Sequence, residues 1–220
     1  MNIATHIQNL RESLPPQVKV VAVSKFHPAE QIREAYDAGQ RLFGESRVQE
    51  LVGKQQELPG DIEWHFIGSL QRNKVKQIAP FVSLIHSLDS ERLMREIEKQ
   101  GAAFERVIPC LLQIHIAEEE TKSGFTPEEC RRFLEEGSWK QCPHLQSAGM
   151  MGMATYTDEH EQVRREFRLL RNLFDECKAK YFADDAAFRE LSMGMSGDYP
   201  IALEEGSTLI RVGTLIFGER

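Results

Sequence analysis

Several things are scarce in this chain of 220 residues, and each scarcity removes a class of function. No apolar run approaches the roughly 20 residues that a membrane span requires, and mean hydropathy is −0.42. The first residues, MNIATHIQNLRESLPP, alternate polar and apolar positions at helical spacing, so the apolar block of a signal peptide is missing. A cytoplasmic protein without a membrane partner is the expectation. Positive charge is also short: 27 basic residues stand against 34 acidic ones, a net charge of −7. A wide nucleic-acid interface needs a basic field, so no nucleic-acid partner is expected. The basic stretches LQRNKVK (70–76) and EQVRREFRLLR (161–171) have helical periodicity and read as solvated helix faces. The four cysteines, Cys110, Cys130, Cys142 and Cys177, include no CxxC pair, which argues against zinc and against a disulfide framework. His27, His65, His86, His115, His144 and His160 are dispersed with no HExxH pattern, so no metal ligand is assigned.

What is present is a regular alternation of short apolar runs with longer amphipathic ones. Strands are predicted at 19–24, 41–44, 63–68, 83–87, 107–116, 145–150, 189–193 and 208–213. Helices are predicted at 3–14 before the first strand, then at 28–39, 46–58, 70–81, 90–104, 126–137, 158–182 and 196–206. Asp89-Ser90 and Thr126-Pro127 are helix starts. Gly39, Gly101, Gly137 and Gly206 fall where left-handed helix ends are expected. Apolar strands separated by helices imply parallel pairing through right-handed crossovers. Eight such alternations predict a (β/α)₈ TIM barrel of α/β class with one extra N-terminal helix. A doubly wound open sheet is the alternative, but no GxGxxG turn follows the first strand. Neither a linker nor low-complexity sequence interrupts residues 1–220, so one domain is expected.

The run VVAVSKFHPAE (20–30) then places Lys25 at the end of the first strand, where barrel active sites form. One reading is a lysine that snorkels to the rim and pairs with a carboxylate. The other is a partly desolvated amine set up for covalent chemistry. The far end of the chain bears on the choice. LSMGMSGD (191–198) runs a strand into Gly194, Ser196 and Gly197 ahead of a helix, small residues that let backbone N–H groups approach an anion. GSTLIRVGT (206–214) ends the eighth strand in Arg211, Gly213 and Thr214. Strand eight neighbours strand one when a barrel closes. A phosphate cup beside an amine matches pyridoxal 5′-phosphate held as a Schiff base. Arg211 would face its pyridine nitrogen and keep it unprotonated, since adjacent positive charges repel.

Taken together, AVSKFHP (22–28), FGESRVQE (43–50), WHFIGSLQRNKVK (64–76), IHSLDS (85–90), TKSGF (121–125), LSMGMSGD (191–198) and STLIRVGTLIFG (207–218) extend over nearly the whole chain. In that order the sequence resembles the pyridoxal phosphate homeostasis proteins, single-barrel relatives of the alanine racemase N-terminal domain. The resemblance implies that Lys25 carries the cofactor, that Ser196, Gly213 and Thr214 contact its phosphate in the turn that includes Met195, and that Arg211 meets the ring nitrogen. It also implies that Lys122 belongs to a secondary cofactor site. Many members carry a second lysine where this chain has His27, asparagine-tyrosine where it has Ser46-Arg47, and histidine or proline where it has Ser69.

A carrier or regulator of pyridoxal phosphate, without catalytic residues, is the favoured reading. Its partners would be the cofactor and pyridoxal-phosphate-dependent apo-enzymes. The alternative is a small pyridoxal-phosphate-dependent amino-acid racemase; a third reading has Lys25 attack a sugar-phosphate carbonyl. Racemisation needs two acid/base groups on opposite faces of the cofactor. In the related racemases one comes from a second domain of the partner subunit, which this chain, ending at Arg220, is expected to lack. Tyr156, after the sixth strand, is the tyrosine placed nearest the mouth. A monomer is expected.

Overall fold

The computed structural model describes residues 2–119 and 123–219. Its order begins α1 (Ile3–Ser13), β1 (Lys19–Val23), α2 (Ala29–Asp37), β2 (Leu42–Glu45), α3 (Val48–Glu57), β3 (Glu63–Phe66) and α4 (Val75–Ile78). It continues β4 (Leu84–Leu88), α5 (Glu91–Ala103), β5 (Ile108–Ile114), α6 (Pro127–Glu136), β6 (Leu145–Gly152), α7 (His160–Tyr181), β7 (Glu190–Ser192), α8 (Tyr199–Glu204), β8 (Leu209–Val212) and α9 (Thr214–Phe217). The strands form a closed parallel barrel in chain order, and β8 returns to pair with β1. Fold class and extra N-terminal helix both follow the sequence expectation. No helix among the described residues is long and apolar enough to cross a membrane.

Local chemistry accounts for the element ends. Asn2 caps α1 by accepting from the Thr5 N–H, and Ser90 accepts from Leu93 N at the start of α5. Thr126 and Glu129 form a reciprocal capping box ahead of Pro127, which satisfies two N–H groups that a helix start leaves open. Gly39, Gly137 and Gly206 adopt positive φ at turns that side chains resist. Gly101 does not. It lies inside α5, where a Cβ would meet the His144 Cβ and carbonyl at 2.8 Å, so close packing rather than a cap selects it. The positive φ falls instead at Glu105. The helix expected over 70–81 is also shorter: a 3₁₀ turn at Arg72–Lys74 leads into the four residues of α4, and only Val75 and Ile78 of that helix are buried.

Two cores result. The larger lies between strands and helices and includes Ile7, Ile32, Phe43, Leu51, Phe167 and Phe188. The smaller comprises Val21, Leu84, Leu111, Ala148, Met151 and Leu209. Residues two apart on a strand share a face, so His86 stands one layer above Leu84 and Arg211 one layer above Leu209. Apolar filling inside the barrel therefore gives way to polar groups toward the C-terminal mouth. On the outside, α1 buries Ile3, Ile7 and Leu10 and packs against α2 and α9. His6 Nδ1 lies 2.9 Å from the Ile216 carbonyl, tying the start of the chain to its end.

Candidate functional site

At the C-terminal mouth, the turns after β1, β7 and β8 meet. β1 stops at Val23, so Lys25 is not the last residue of the strand but lies in the turn beyond it, half-buried. The strand ends early because Ser24 turns away: its N–H still bonds the Gly44 carbonyl, and its own carbonyl accepts from His27 N at 3.0 Å. Ala22 pairs with Val212, which sets Gly213 beside Val23. A Cβ at Gly213 would sit 3.2 Å from the Val23 carbonyl oxygen. Glycine is needed there because two backbones nearly touch; its φ of −119° is ordinary. The Gly213 N–H donates to Ser196 Oγ at 3.3 Å, joining the β7 turn to the β8 turn. Asp198 Oδ1 accepts from the Met195 N–H at 2.5 Å, so Met195 contributes to the turn's frame while its side chain is exposed. A Cβ at Gly197 would meet nothing within 4 Å, which leaves open space over this turn. Thr214 opens α9 and is exposed.

Arg211 lies beneath this rim, 4% exposed. One Nη donates to the Ser192 carbonyl at 2.9 Å and to its hydroxyl at 2.5 Å, the other to the Gly152 carbonyl at 3.0 Å. Burial lowers its pKa to about 10, and Asp198 acts against that, so the guanidinium stays charged near neutral pH. Ser192 Oγ lies 3.1 Å from His86 Nδ1, and His86 Nε2 lies 3.0 Å from His65 Nδ1. Arginine can only donate, so Ser192 Oγ accepts from it and keeps its own hydroxyl proton to donate. Donation of that proton to His86 Nδ1 would leave His86 Nε2–H to donate to His65 Nδ1. Burial keeps both histidines neutral near pH 7: it lowers His65 to about 3 and holds His86 well below the usual histidine range.

A second polar cluster sits under the Lys25 turn. Lys54 Nζ donates to the Ser24 carbonyl at 2.8 Å, to Glu45 Oε1 at 2.7 Å and to Glu50 Oε1 at 2.6 Å. Ser24 Oγ donates to the same Glu45 oxygen at 2.6 Å, and Phe26 N–H donates to Glu50 Oε1 at 2.5 Å. Burial pushes the Glu45 carboxyl above the usual carboxylate range, against the pull of Lys54 and Ser24.

Lys25, Met195, Ser196, Arg211, Gly213 and Thr214 thus fall on three neighbouring strand ends, while Lys122 lies outside the described residues. Sequence reading missed both polar clusters. It took the histidines as scattered, whereas His65 and His86 are in contact. The available signal was a polar residue inside an apolar run, as in WHF, IHS and LSM. His27 does not line the mouth. It is buried, stacks on Phe217 at 4.5 Å between centroids and contacts Gln31. Arg47 stacks over the exposed Phe26 ring at 4.6 Å, and Ser69 is exposed. Tyr156 is 97% exposed.

A parallel eight-stranded barrel with a lysine past β1 and a small-residue cup across β7 and β8 is the architecture of one class: the chain belongs to the alanine racemase N-terminal domain family, whose profile matches residues 1–220. Within that class it belongs with the pyridoxal phosphate homeostasis proteins. It is 43% identical to the protein of that name from Aquifex aeolicus, over 92% of this chain and 87% of the relative. It is 36% identical to the one from Pasteurella multocida, over 100% of this chain and 96% of the relative. Among solved structures, PipY of Synechococcus elongatus with pyridoxal phosphate bound superposes with a TM-score of 0.89 at 38% identity, covering 99% of this chain and 100% of that one. An alanine racemase from Clostridium difficile shares the fold alone, with a TM-score of 0.79 at 13% identity over 100% of this chain and 57% of that one.

Proposed function

We propose that residues 1–220 form one pyridoxal-phosphate-binding domain that acts in intracellular cofactor homeostasis, as a cytoplasmic and monomeric carrier or regulator without catalytic turnover. The cofactor would be held as a Schiff base on Lys25. The observation that carries this is the β8–β1 pairing, which brings the lysine turn alongside the Gly213–Ser196 bridge with a buried arginine directly below. When bound, the cofactor supplies an aldehyde that a primary amine captures reversibly with loss of water. This chain's residues do the rest. Ser196 and Thr214 would offer hydroxyl groups to the phosphate in the open space over Gly197, while the Met195 and Gly213 N–H groups hold the cup's backbone in shape through Asp198 and Ser196. Arg211, fixed on two carbonyls and Ser192, would present a charged donor to the ring nitrogen and so keep it unprotonated. An unprotonated ring withdraws electrons poorly, which favours holding the cofactor over reacting through it. Lys122 is retained as a secondary cofactor contact from the sequence, and pyridoxal-phosphate-dependent apo-enzymes as recipients. The names of the relatives support the same reading.

The test is an absorption titration of purified protein with pyridoxal phosphate. A visible band that Lys25→Ala lacks is expected. A wild-type protein with no such band would refute the covalent reading. Exchange of an amino-acid α-proton into deuterated solvent, dependent on Lys25, would replace the carrier with the racemase alternative.

A further inference from the structure

We infer that Lys54 is a positioning residue for Lys25, its ammonium bracketing the turn that presents that amine; the inference rests on the reading of Lys25 given above. Lys54 projects from α3 and is 8% exposed. An ammonium has three hydrogens, and three acceptors surround this one: the Ser24 carbonyl, Glu45 Oε1 and Glu50 Oε1. Each acceptor is connected to a residue flanking Lys25. The Ser24 carbonyl is the peptide oxygen immediately before it. Glu45 Oε1 also accepts from the Ser24 hydroxyl, and Glu50 Oε1 accepts from the Phe26 N–H immediately after it. One buried amine thereby fixes both sides of another.

The turn requires such a clamp. Phe26 has φ of +67°, the left-handed region that a bulky residue resists. Its ring is 51% exposed, with the Arg47 guanidinium 4.6 Å over its face, so side-chain contact offsets only part of that strain. The strained conformation persists because the Phe26 N–H has a charged acceptor and that acceptor is itself held by Lys54. Released from the clamp, Phe26 would relax toward negative φ, and Lys25 would swing relative to Gly213 and Ser196. Capture of an aldehyde needs the amine within bonding reach of a group whose other end is already fixed in the cup. Binding of an analogue with no aldehyde needs only the cup. That difference separates a positioning role from a general structural one.

The experiment compares wild type, Lys54→Met and Glu50→Ala with two ligands: pyridoxal phosphate, followed by its visible band, and 4′-deoxypyridoxine 5′-phosphate, which has no aldehyde, followed by calorimetry. Loss of charge-assisted hydrogen bonds to the turn should weaken pyridoxal phosphate by about ten- to a hundredfold in Lys54→Met. Glu50→Ala should shift it less and in the same direction, and the deoxy analogue should hold within about twofold in both, as expected for a site whose contacts are intact. Equal weakening of both ligands, or no change in either, would overturn the inference. Lys54→Met leaves Glu45 buried without its counter-charge; where it fails to fold, Glu50→Ala, altered at a partly exposed side chain, decides by the same criteria. A wild-type protein without the visible band would instead remove the Lys25 reading, and the clamp's role with it.

Discussion

At the scale of single residues, two glycines of the cup predict opposite outcomes for the same substitution. Gly213→Ala would push a methyl to 3.2 Å from the Val23 carbonyl, on the strand that leads into Lys25. Backbone cannot give way as a flexible side chain can, so a loss of about 1–3 kcal/mol in urea unfolding is expected, the usual range for overpacking. A Cβ at Gly197 meets nothing within 4 Å. Gly197→Ala should leave stability within about 0.5 kcal/mol of wild type, yet weaken a phosphate-bearing ligand if the proposed phosphate site occupies the open space above the turn. Full affinity in Gly197→Ala would place the phosphate elsewhere. The sequence reading took the small residues at 194, 196, 197 and 213 as access for an anion, whereas Gly194 has φ of +96° and a Cβ there would meet Ala202 at 2.7 Å. It did not separate the glycine chosen for a strand contact from the one chosen for space, because that distinction depends on the β8–β1 register.

At the scale of elements, the strands were legible because eight apolar runs stood apart from amphipathic helices, and their order alone implied closure. Legibility failed where tertiary contact outweighed local pattern. Gly101 has the look of a helix end but is a packing site against His144. Residues 70–81 have helical spacing but form only a 3₁₀ turn and one short helix, which Pro80 follows. α1 is the instructive case, since its periodicity predicted a helix while its purpose emerges only from its neighbours. It covers α2 and α9 with Ile3, Ile7 and Leu10, and α9 begins at Thr214 in the cup. Ile7→Ala should cost about 2–5 kcal/mol, the range for emptying a buried aliphatic site. Hydrogen exchange should show the α9 amides loosening along with α1, because His6 anchors Ile216 through a carbonyl contact of 2.9 Å. If the loss of protection stops at α1, the helix is a separate cover rather than a support for the cup.

Across the whole molecule, the site's floor is a polar chain from β3 to β8 whose members local patterns hint at but whose connections they do not. His65 and His86 stand 21 positions apart and His86 and Ser192 stand 106 apart, so only barrel closure joins them. The placement of Lys25 and Arg211 near the mouth was readable because strand ends can be counted, whereas the contacts of groups inside the barrel depend on partners across it. This buried chain makes the protein acid-sensitive in a defined window. His65 has a folded pKa near 3, lowered chiefly by burial, against the ordinary 6.5 of an unfolded histidine. Between those values the unfolded chain binds the extra proton, so acid favours unfolding. The contribution of neutral His65 is complete above pH 6.5 and is lost as pH falls toward 3. From pH 7 to pH 5 that loss amounts to about 2 kcal/mol. Glu45 works the other way, since its raised folded pKa makes protonation favour the native state at lower pH. It is common to wild type and variant and cancels in their comparison. His65→Asn supplies a side-chain oxygen to accept from His86 without titrating. Urea unfolding at pH 7 and pH 5 should show the variant less stable than wild type at pH 7 but with a pH-dependent loss smaller by about 2 kcal/mol. Parallel losses in the two proteins would mean that His65 is protonated in the native barrel, and the direction of the hydrogen-bond chain to Arg211 would have to be reversed.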